Sequence, residues 1–474
     1  VAPIGGNNGS DVDDPEMADR THFPMSDQQT GLWYSYRRNP AGTSFNVFLP
    51  SRLRSRLDVE ALKAALNWVV QRHACLRTTF SGDEDRLTQT VHEELAPEIT
   101  MVDLSDAASG GELNETELRQ AVMDETQRPF DLENGPLLRL RLFKIADDNW
   151  VAVATTHHIV VDFWSLILIL SELRQVYPQC MVGSPPPVTA PPRDYFDFVA
   201  SQRKLLHSTR GRRLQQYWTR TLADVPTVLE VPTDRTRPAT FTGRASVVPI
   251  QCPLDVGHGV NELAMQMQTT SAAVVLAGLQ VFLQRLTRQN RFVIGSPFAG
   301  RTQADLEETV GFFVNMLPLV ADLTGQPSFS QLIRRAGNRL VDSMQNEEYP
   351  FSQIVRDIDP PRDTGRSPLI QVSCTFEKAH VREEEGRAGY LFPAAVTAKE
   401  VGGLRQESYY IPHQTCHYDL EFIFEQTGDR LNGMVVYNHD LYDEDTMRRY
   451  SELFVALIGE LIRERAHLGR LLGH

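Results

Sequence analysis

Apolar side chains recur along this chain in two rhythms. Between residues 58 and 73, Val59, Leu62, Leu66, Val69 and Val70 stand at i, i+3, i+7, i+10 and i+11, on one face of an amphipathic helix. Leu138, Leu140 and Leu142 instead alternate with Arg139 and Arg141, the period of a half-buried strand. A second strand is expected over 150–157, after the turn-like Ala146, Asp147, Asp148 and Asn149, so the two runs read as a hairpin. An apolar helix is expected over about 164–177. Next comes SPPPVTAPP at 184–192, which favours extended polyproline geometry and cannot carry a helix.

Beyond that break the pattern predicts a helical segment over 194–222 and a Ser/Thr-capped apolar helix over 269–287. Strands are expected at 291–294, 369–376, 419–425 and 431–437, and a closing helix over 444–464. Strands and helices mix without a strict βαβ rhythm, which predicts an α+β fold rather than a doubly wound parallel sheet. Residues 1–22 lack hydrophobic periodicity and read as a flexible lead-in or linker. The expected organisation is an N-terminal lobe at 23–183, the Pro-rich boundary at 184–192 and a C-terminal lobe at 193–474. No internal repeat is visible.

Composition narrows the function. At ~150 residues per domain, a 474-residue chain suggests about three domains or two large ones. Its 47 Lys+Arg against 61 Asp+Glu leave a formal charge of −14. With no Lys/Arg block to offset that balance, a nucleic-acid partner bound through its phosphates is disfavoured. The most apolar run, 166–170, is far short of the ~20 residues a membrane-spanning helix needs. The N-terminus is polar and acidic where a signal peptide would be charged and then apolar. A soluble, cytoplasmic chain with no membrane partner is expected. The five cysteines, Cys75, Cys180, Cys252, Cys374 and Cys416, are scattered and form no C-x-x-C pair. They read as small buried hydrophobes in a reducing compartment. The first residue is Val, consistent with an excised segment.

Nucleophile, nucleotide and zinc-protease motifs are missing: there is no G-x-S-x-G, P-loop, H-E-x-x-H or post-strand G-x-G-x-x-G. Ser201 and Lys204 make an S-x-x-K match in a polar helical stretch, read as coincidence. His413, Cys416 and His417 suggest a metal site, but no fourth ligand lies nearby and the expectation is no metal. The informative stretch is THHIVVDFWS, from Thr156 to Ser165, where a strand gives way to a helix. In an extended chain His157 shares a face with Val151, Val153 and Thr155, and His158 with Ala152, Ala154 and Thr156. One ring is then packed and the other has small neighbours that leave room for a ligand. Asp162 falls where a helix cap belongs, with Ser165 three residues on. On spacing alone, a buried His pair with an N-cap Asp explains the stretch equally well.

His157-His158-x-x-x-Asp162 resembles the HHxxxDG signature of condensation domains of nonribosomal peptide synthetases, and of the wider chloramphenicol-acetyltransferase-like acyltransferases. The resemblance runs from about residue 22 to 465. It includes FPMSDQQTGLW ending at Trp33, Arg72-His73-x-x-Leu-Arg77-Thr-Thr-Phe80, Arg128-Pro-Phe-Asp131, Ser296-Pro-Phe-Ala-Gly-Arg301, Val310-Gly-Phe-Phe-Val-Asn315, Tyr349-Pro-Phe351 and Tyr437-Asn438-x-Asp440-Leu-Tyr442. It implies two acetyltransferase-like lobes in a V-shaped pseudo-dimer, with the His motif in a tunnel between them. Acyl or peptidyl carrier proteins would bring the donor, and possibly the acceptor, on phosphopantetheine arms. The implied reaction is acyl transfer from that thioester to an amine or hydroxyl, giving an amide or ester in peptide or polyketide-peptide biosynthesis.

By the same resemblance His158 is the catalytic residue, and His157, Asp162 and Arg301 support the motif, the last two as a pair. Phe163, Trp164, Ser165, Phe312, Phe313 and Asn315 are channel or interface candidates. No cofactor of its own is implied, and the chain would act as a monomer or as part of a megasynthase. The motif departs from the family at Phe163, where Gly is usual. If that Gly has φ > 0, a Phe there is strained by roughly 1–2 kcal/mol and the turn altered; Phe163 and Trp164 either pack into the lobe core or reshape the acceptor channel. Sibling readings are a coenzyme A-thioester acyltransferase and an epimerisation domain; a different class is a non-catalytic recruitment module, which has no need of His158 or Asp162. Heterocyclisation is disfavoured because that branch replaces the His pair with Asp.

Overall fold

The helix expected at 58–73 forms as Val59–Arg72, and what starts it is Asp58, whose carboxylate accepts the Ala61 N–H at 3.0 Å. Its buried Leu62, Leu66, Val69 and Val70 pack against helix Phe163–Met181, in one cluster with Leu166, Ile169 and Val176. Each such side chain withdrawn from water contributes roughly 1.5–3 kcal/mol. The computed structural model describes residues 21–83, 86–109, 114–377, 392 and 398–471. The lead-in expected at 1–22 therefore lies outside the described residues, except for Thr21 and His22.

Strands of the first half are β1 (His22–Pro24), β2 (Asn46–Leu53), β3 (Thr78–Gly82), β4 (Leu87–Val91), β5 (Glu98–Asp103), β6 (Leu138–Ala146) and β7 (Asn149–His157). Those of the second are β8 (Ala245–Gln251), β9 (Arg291–Phe298), β10 (Asn315–Asp322), β11 (Val372–Glu377), β12 (Ala398–Val401), β13 (Leu404–Ser408), β14 (Leu420–Thr427) and β15 (Arg430–Asn438). They build two six-stranded sheets, ordered β12-β13-β2-β7-β6-β5 and β10-β9-β11-β14-β15-β8, and a small sheet β1-β4-β3. Most neighbours are antiparallel, with parallel pairs at β5–β6, β11–β14 and β9–β11. This is an α+β arrangement.

The hairpin of β6 and β7 is antiparallel, with Leu138 opposite Thr156. Its expected half-burial is corrected. Leu138, Leu140 and Leu142 face the helical core with Trp150, but Phe143, Val151 and Val153 pack under Leu118 and Val122 of helix Glu115–Thr126. With both faces covered, Arg139 is only 4% exposed. Its charge is met by Glu125 at 3.5 Å, the carbonyls of Pro129 and Arg128 at 2.9 and 2.8 Å, and the Phe130 ring 3.8 Å from its guanidinium carbon.

The second sheet has the same two-sided cover. Phe422 and Phe424 pack with Phe282 of helix Ser271–Thr287 and with Phe454 and Ile458 of helix Glu444–Leu471. On the other face Leu214 and Trp218 meet Val293, Leu317 and Ile370. The helical segment expected over 194–222 is two helices, Tyr195–His207 and Thr209–Leu222. Ser208 ends one and caps the other, donating to the Leu205 carbonyl at 2.6 Å and accepting from Gly211 N at 3.1 Å. The corner is so tight that a Cβ at Gly211 would stand 2.3 Å from the Leu205 oxygen. Strand β9 outruns its expected end and reaches Phe298.

One crossing positions the site. Strands β12 and β13 lie in the stretch 193–474 yet extend the first sheet, with Gln406 opposite Leu53 and Ser408 opposite Ser51. From β13 the chain returns through residues 409–419 to β14, bridging Thr415 to Arg244 on the way. The Pro-rich stretch runs without regular structure, accepting from Trp68 Nε1 at the Pro186 carbonyl at 2.8 Å. Among the described residues no single helix is long and apolar enough to cross a membrane. All five cysteines are free thiols.

Candidate active site

Strand β7 ends at His157, and the turn that follows points the two imidazoles apart. His157 is buried between Phe45 and Phe130, with ring centroids 6.3 and 6.2 Å away. Its Nδ1 accepts the Ile159 N–H at 3.1 Å, so this nitrogen carries no proton. Burial, and next the neighbouring His158, push its pKa down to about 3. His157 is thus a neutral, packed ring that pins the turn.

His158 is half-buried. Its backbone N–H donates to the Phe45 carbonyl at 2.8 Å, and its Nδ1 lies 2.6 Å from the Val161 carbonyl. A carbonyl only accepts, so Nδ1 bears the proton and Nε2 is left with a lone pair. Burial pulls the pKa of His158 below that of a free imidazole; the Val161 carbonyl and Asp162 oppose the shift, and a positive His417 reinforces it. The ring is neutral at pH 7, with a proton acceptor built into its tautomer. Phe312 packs 4.8 Å from it.

Asp162 is fully buried and caps helix Phe163–Met181 through Oδ1, which accepts Ser165 N at 2.8 Å. From the other half of the chain, Arg301 places Nη1 2.9 Å from Oδ2 and Nη2 3.2 Å from Oδ1, while being 3% exposed itself. Arg301 Nη2 also reaches Ser165 Oγ at 2.9 Å and the Thr309 carbonyl at 3.0 Å. Ser165 Oγ accepts Gly311 N at 3.0 Å, and Oδ2 of Asp162 accepts Phe313 N at 3.2 Å. One carboxylate therefore ties the His turn to the segment 301–313. Gly311 is needed there, because a Cβ would fall 2.2 Å from the Tyr195 ring.

The structure brings together His157, His158, Asp162, Ser165, Arg301, Phe312 and Phe313. Phe313 is buried beneath the Arg301 guanidinium, 4.0 Å from its ring centroid, and against Phe198. Trp164 spans the same junction, donating Nε1–H to the Glu307 carbonyl at 2.9 Å. Asn315 is not brought to the motif: its hydrogen bonds run to the carbonyls of Glu347 and Tyr349 and to Phe351 N, fixing that turn. The strain expected at Phe163 is absent. Phe163 is the first residue of the helix and is not among the residues with positive φ, so the turn needs no glycine. Ser201 donates to the Asp197 carbonyl within its helix and accepts from Arg193 Nη2, which precedes the helix.

Sequence reasoning missed a second pair. The return segment 409–419 brings His417 beside Phe45, with ring centroids 4.8 Å apart, and Glu421 holds it, with Oε1 3.6 Å from Nδ1. The HQTCH run drew notice only as a metal candidate, and the signal overlooked was Glu421, four residues beyond His417. Among the described residues no group of three or more His, Cys, Asp or Glu could hold a metal ion. Cys416 instead turns its thiol to the Arg244 carbonyl.

A family model described as "Condensation domain" matches residues 19–468. A linear gramicidin synthase of Brevibacillus parabrevis is 32% identical over 437 residues, which are 92% of this chain and 8% of that protein. The chain thus spans under a tenth of that relative's length. Among solved structures, a four-domain nonribosomal peptide synthetase, holo-AB3403, bound to AMP and glycine, is similar with a TM-score of 0.82 and 23% identity, covering 94% of this chain and 33% of that one. The X-domain from teicoplanin biosynthesis is similar with a TM-score of 0.81 and 24% identity, over 93% of this chain and 95% of that one.

Proposed function

The chain belongs to the condensation-domain family, and from that premise we propose that it transfers an acyl group from a carrier-protein phosphopantetheine thioester to an amine, forming an amide bond in peptide biosynthesis. The observation that carries this reading is the tautomer of His158, whose Nδ1 is committed to the Val161 carbonyl at 2.6 Å. Its Nε2 is left to take the proton that an attacking amine sheds as the C–N bond forms. The thioester C–S bond breaks in return, and the proton passes to the leaving thiolate. Losing such acid–base help typically costs ~10²–10⁴-fold. No acyl-enzyme is required, because the amine attacks the thioester directly. Asp162 and Arg301 act through geometry: they hold the turn that fixes Val161 and hence the ring.

Carrier proteins are the partners this reading implies, because the donor thioester it uses is borne on their phosphopantetheine arms. The test is transfer from an acyl-loaded carrier protein, from free acyl-pantetheine and from acyl-coenzyme A to matched amine and hydroxyl acceptors. Amide product from the loaded carrier, with kcat/KM well above that of the free thioesters, supports the proposal. Preference for acyl-coenzyme A would favour the sibling acyltransferase reading. Carrier binding without transfer from any donor would favour a recruitment module.

A further inference from the structure

His417 and Glu421 belong to no motif, yet the fold sets them against the His158 turn from the other half of the chain. Phe45 touches both. Its carbonyl accepts the His158 N–H at 2.8 Å, and its ring packs 4.8 Å from that of His417. Glu421 Oε1 accepts the backbone N–H groups of His417 and Tyr418 at 2.5 and 3.2 Å and lies 3.6 Å from His417 Nδ1. The other ring nitrogen, Nε2, is shielded from solvent and has no hydrogen-bond partner of good geometry. The side chain as a whole keeps 36% exposure, so its ring edge borders open space.

Charge follows from these neighbours. Burial disfavours a protonated His417, but the hydrogen bond and charge of Glu421 and the Ser44 carbonyl outweigh it, and its pKa is raised. Burial likewise opposes an ionised Glu421, but His417 and His413 outweigh it and hold that carboxyl below its usual range. Each member thus favours the charged form of the other, the carboxylate of Glu421 stabilising a protonated His417. His413, depressed first by burial, is the further ring facing the pair. Facing His158 are Asp162 from its own turn, His157 before it and His417 from across the junction.

We propose that His417, held by Glu421, is a positioning residue that helps burial keep His158 in its neutral, proton-accepting form, by placing positive charge beside the Phe45 that both residues contact. The proposal rests on the reading of His158 as the base and deepens it. A cation near a base opposes standing protonation, so the base is ready at neutral pH. Once His158 has taken the amine proton, the two like charges repel, which favours passing that proton to the departing thiolate sulfur. The N–H proton thus ends on the thiol, one C–N bond forms and one C–S bond breaks.

The experiment is the titration of the His158 ring followed by NMR with labelled histidine, the signal assigned by its loss in His158→Ala. Wild type is compared with His417→Gln, His417→Lys and Glu421→Gln, each checked by a melting curve. The expected result is a His158 midpoint shifted to higher pH in His417→Gln and Glu421→Gln, with His417→Lys close to wild type because the charge is kept. The acid limb of kcat/KM should move the same way, so that turnover falls several-fold on that limb while the alkaline plateau holds. Unchanged His158 midpoints in both Gln variants would overturn the proposal; should one fail to fold, the other decides. Because the titration needs no turnover, a shifted midpoint in a chain that never condenses would count against the proposed function alone.

Discussion

His158 differs from an ordinary buried histidine in one bond. Its Nδ1 is taken by a backbone carbonyl rather than by a carboxylate, so the ring is held in one tautomer without being driven to a cation. His158→Ala should therefore lose ~10²–10⁴-fold in product formation, with a melting curve like wild type. His157 makes a separate, thermodynamic prediction. Its folded pKa of about 3 lies below the ordinary 6.5, so between those values the unfolded chain binds a proton that the folded chain does not. Stability from this residue is complete above about pH 6.5 and declines as pH falls towards 3. Melting temperatures taken from pH 7 to pH 4 should fall in wild type and fall less steeply in His157→Gln; parallel curves would mean that His157 is not the group responsible. The His pair was legible in the sequence because a strand's two-residue period separates neighbouring faces. His417 was not: Glu421, four residues on, marks a local pair, but nothing in the sequence says that this pair meets a turn from the other half of the chain.

At the scale of elements, the capped helix Phe163–Met181 and the segment 301–313 depend on one buried ion pair. Removing one member of such a pair typically costs ~3–5 kcal/mol, since the other charge stays buried and unmatched. Asp162→Ala should lower the melting temperature and the activity together, and an unchanged midpoint with full activity would contradict the role given to the pair. Gly311→Ala should also destabilise, by roughly 1–3 kcal/mol, because its new methyl would meet the Tyr195 ring at 2.2 Å. The elements that the sequence made legible, such as Val59–Arg72 and the β6–β7 hairpin, have long single-period patterns and clear caps or turns. Residues 194–222 misled because apolar positions resume at Leu214 after the polar run 207–213, which holds no proline, while the break is set by a capping hydroxyl and a glycine. Phe163 misled differently: a family glycine need not mean a left-handed backbone, and here the residue simply begins a helix.

At the scale of the whole molecule, the site exists because the chain crosses between its two sheets. Arg301 and Phe312 come from the second half by way of the segment after β9, and His417 comes by the return from β12 and β13, which are themselves strands of the first sheet. Neither crossing has a local signature, since strand order depends on contacts between residues far apart in sequence. Arg301 was reachable through motif resemblance alone. Acceptor choice also belongs to this scale. With the Phe163 turn unstrained, the structure offers no altered backbone that would favour hydroxyl nucleophiles, so a competition between matched amine and hydroxyl acceptors should yield mainly amide. Phe163→Gly should leave that ratio unchanged, and a marked shift would mean that the ring shapes the acceptor path.

The most direct test of the account is intact-mass spectrometry of the chain, an acyl-loaded carrier protein and an amine acceptor, followed in wild type and in folded His158→Ala. Direct, base-assisted transfer predicts that the carrier loses the acyl mass, the acceptor gains it and the chain's own mass never changes. It also predicts a ~10²–10⁴-fold slower transfer without His158. An acyl group caught on the chain, or wild-type rates in His158→Ala, would contradict it.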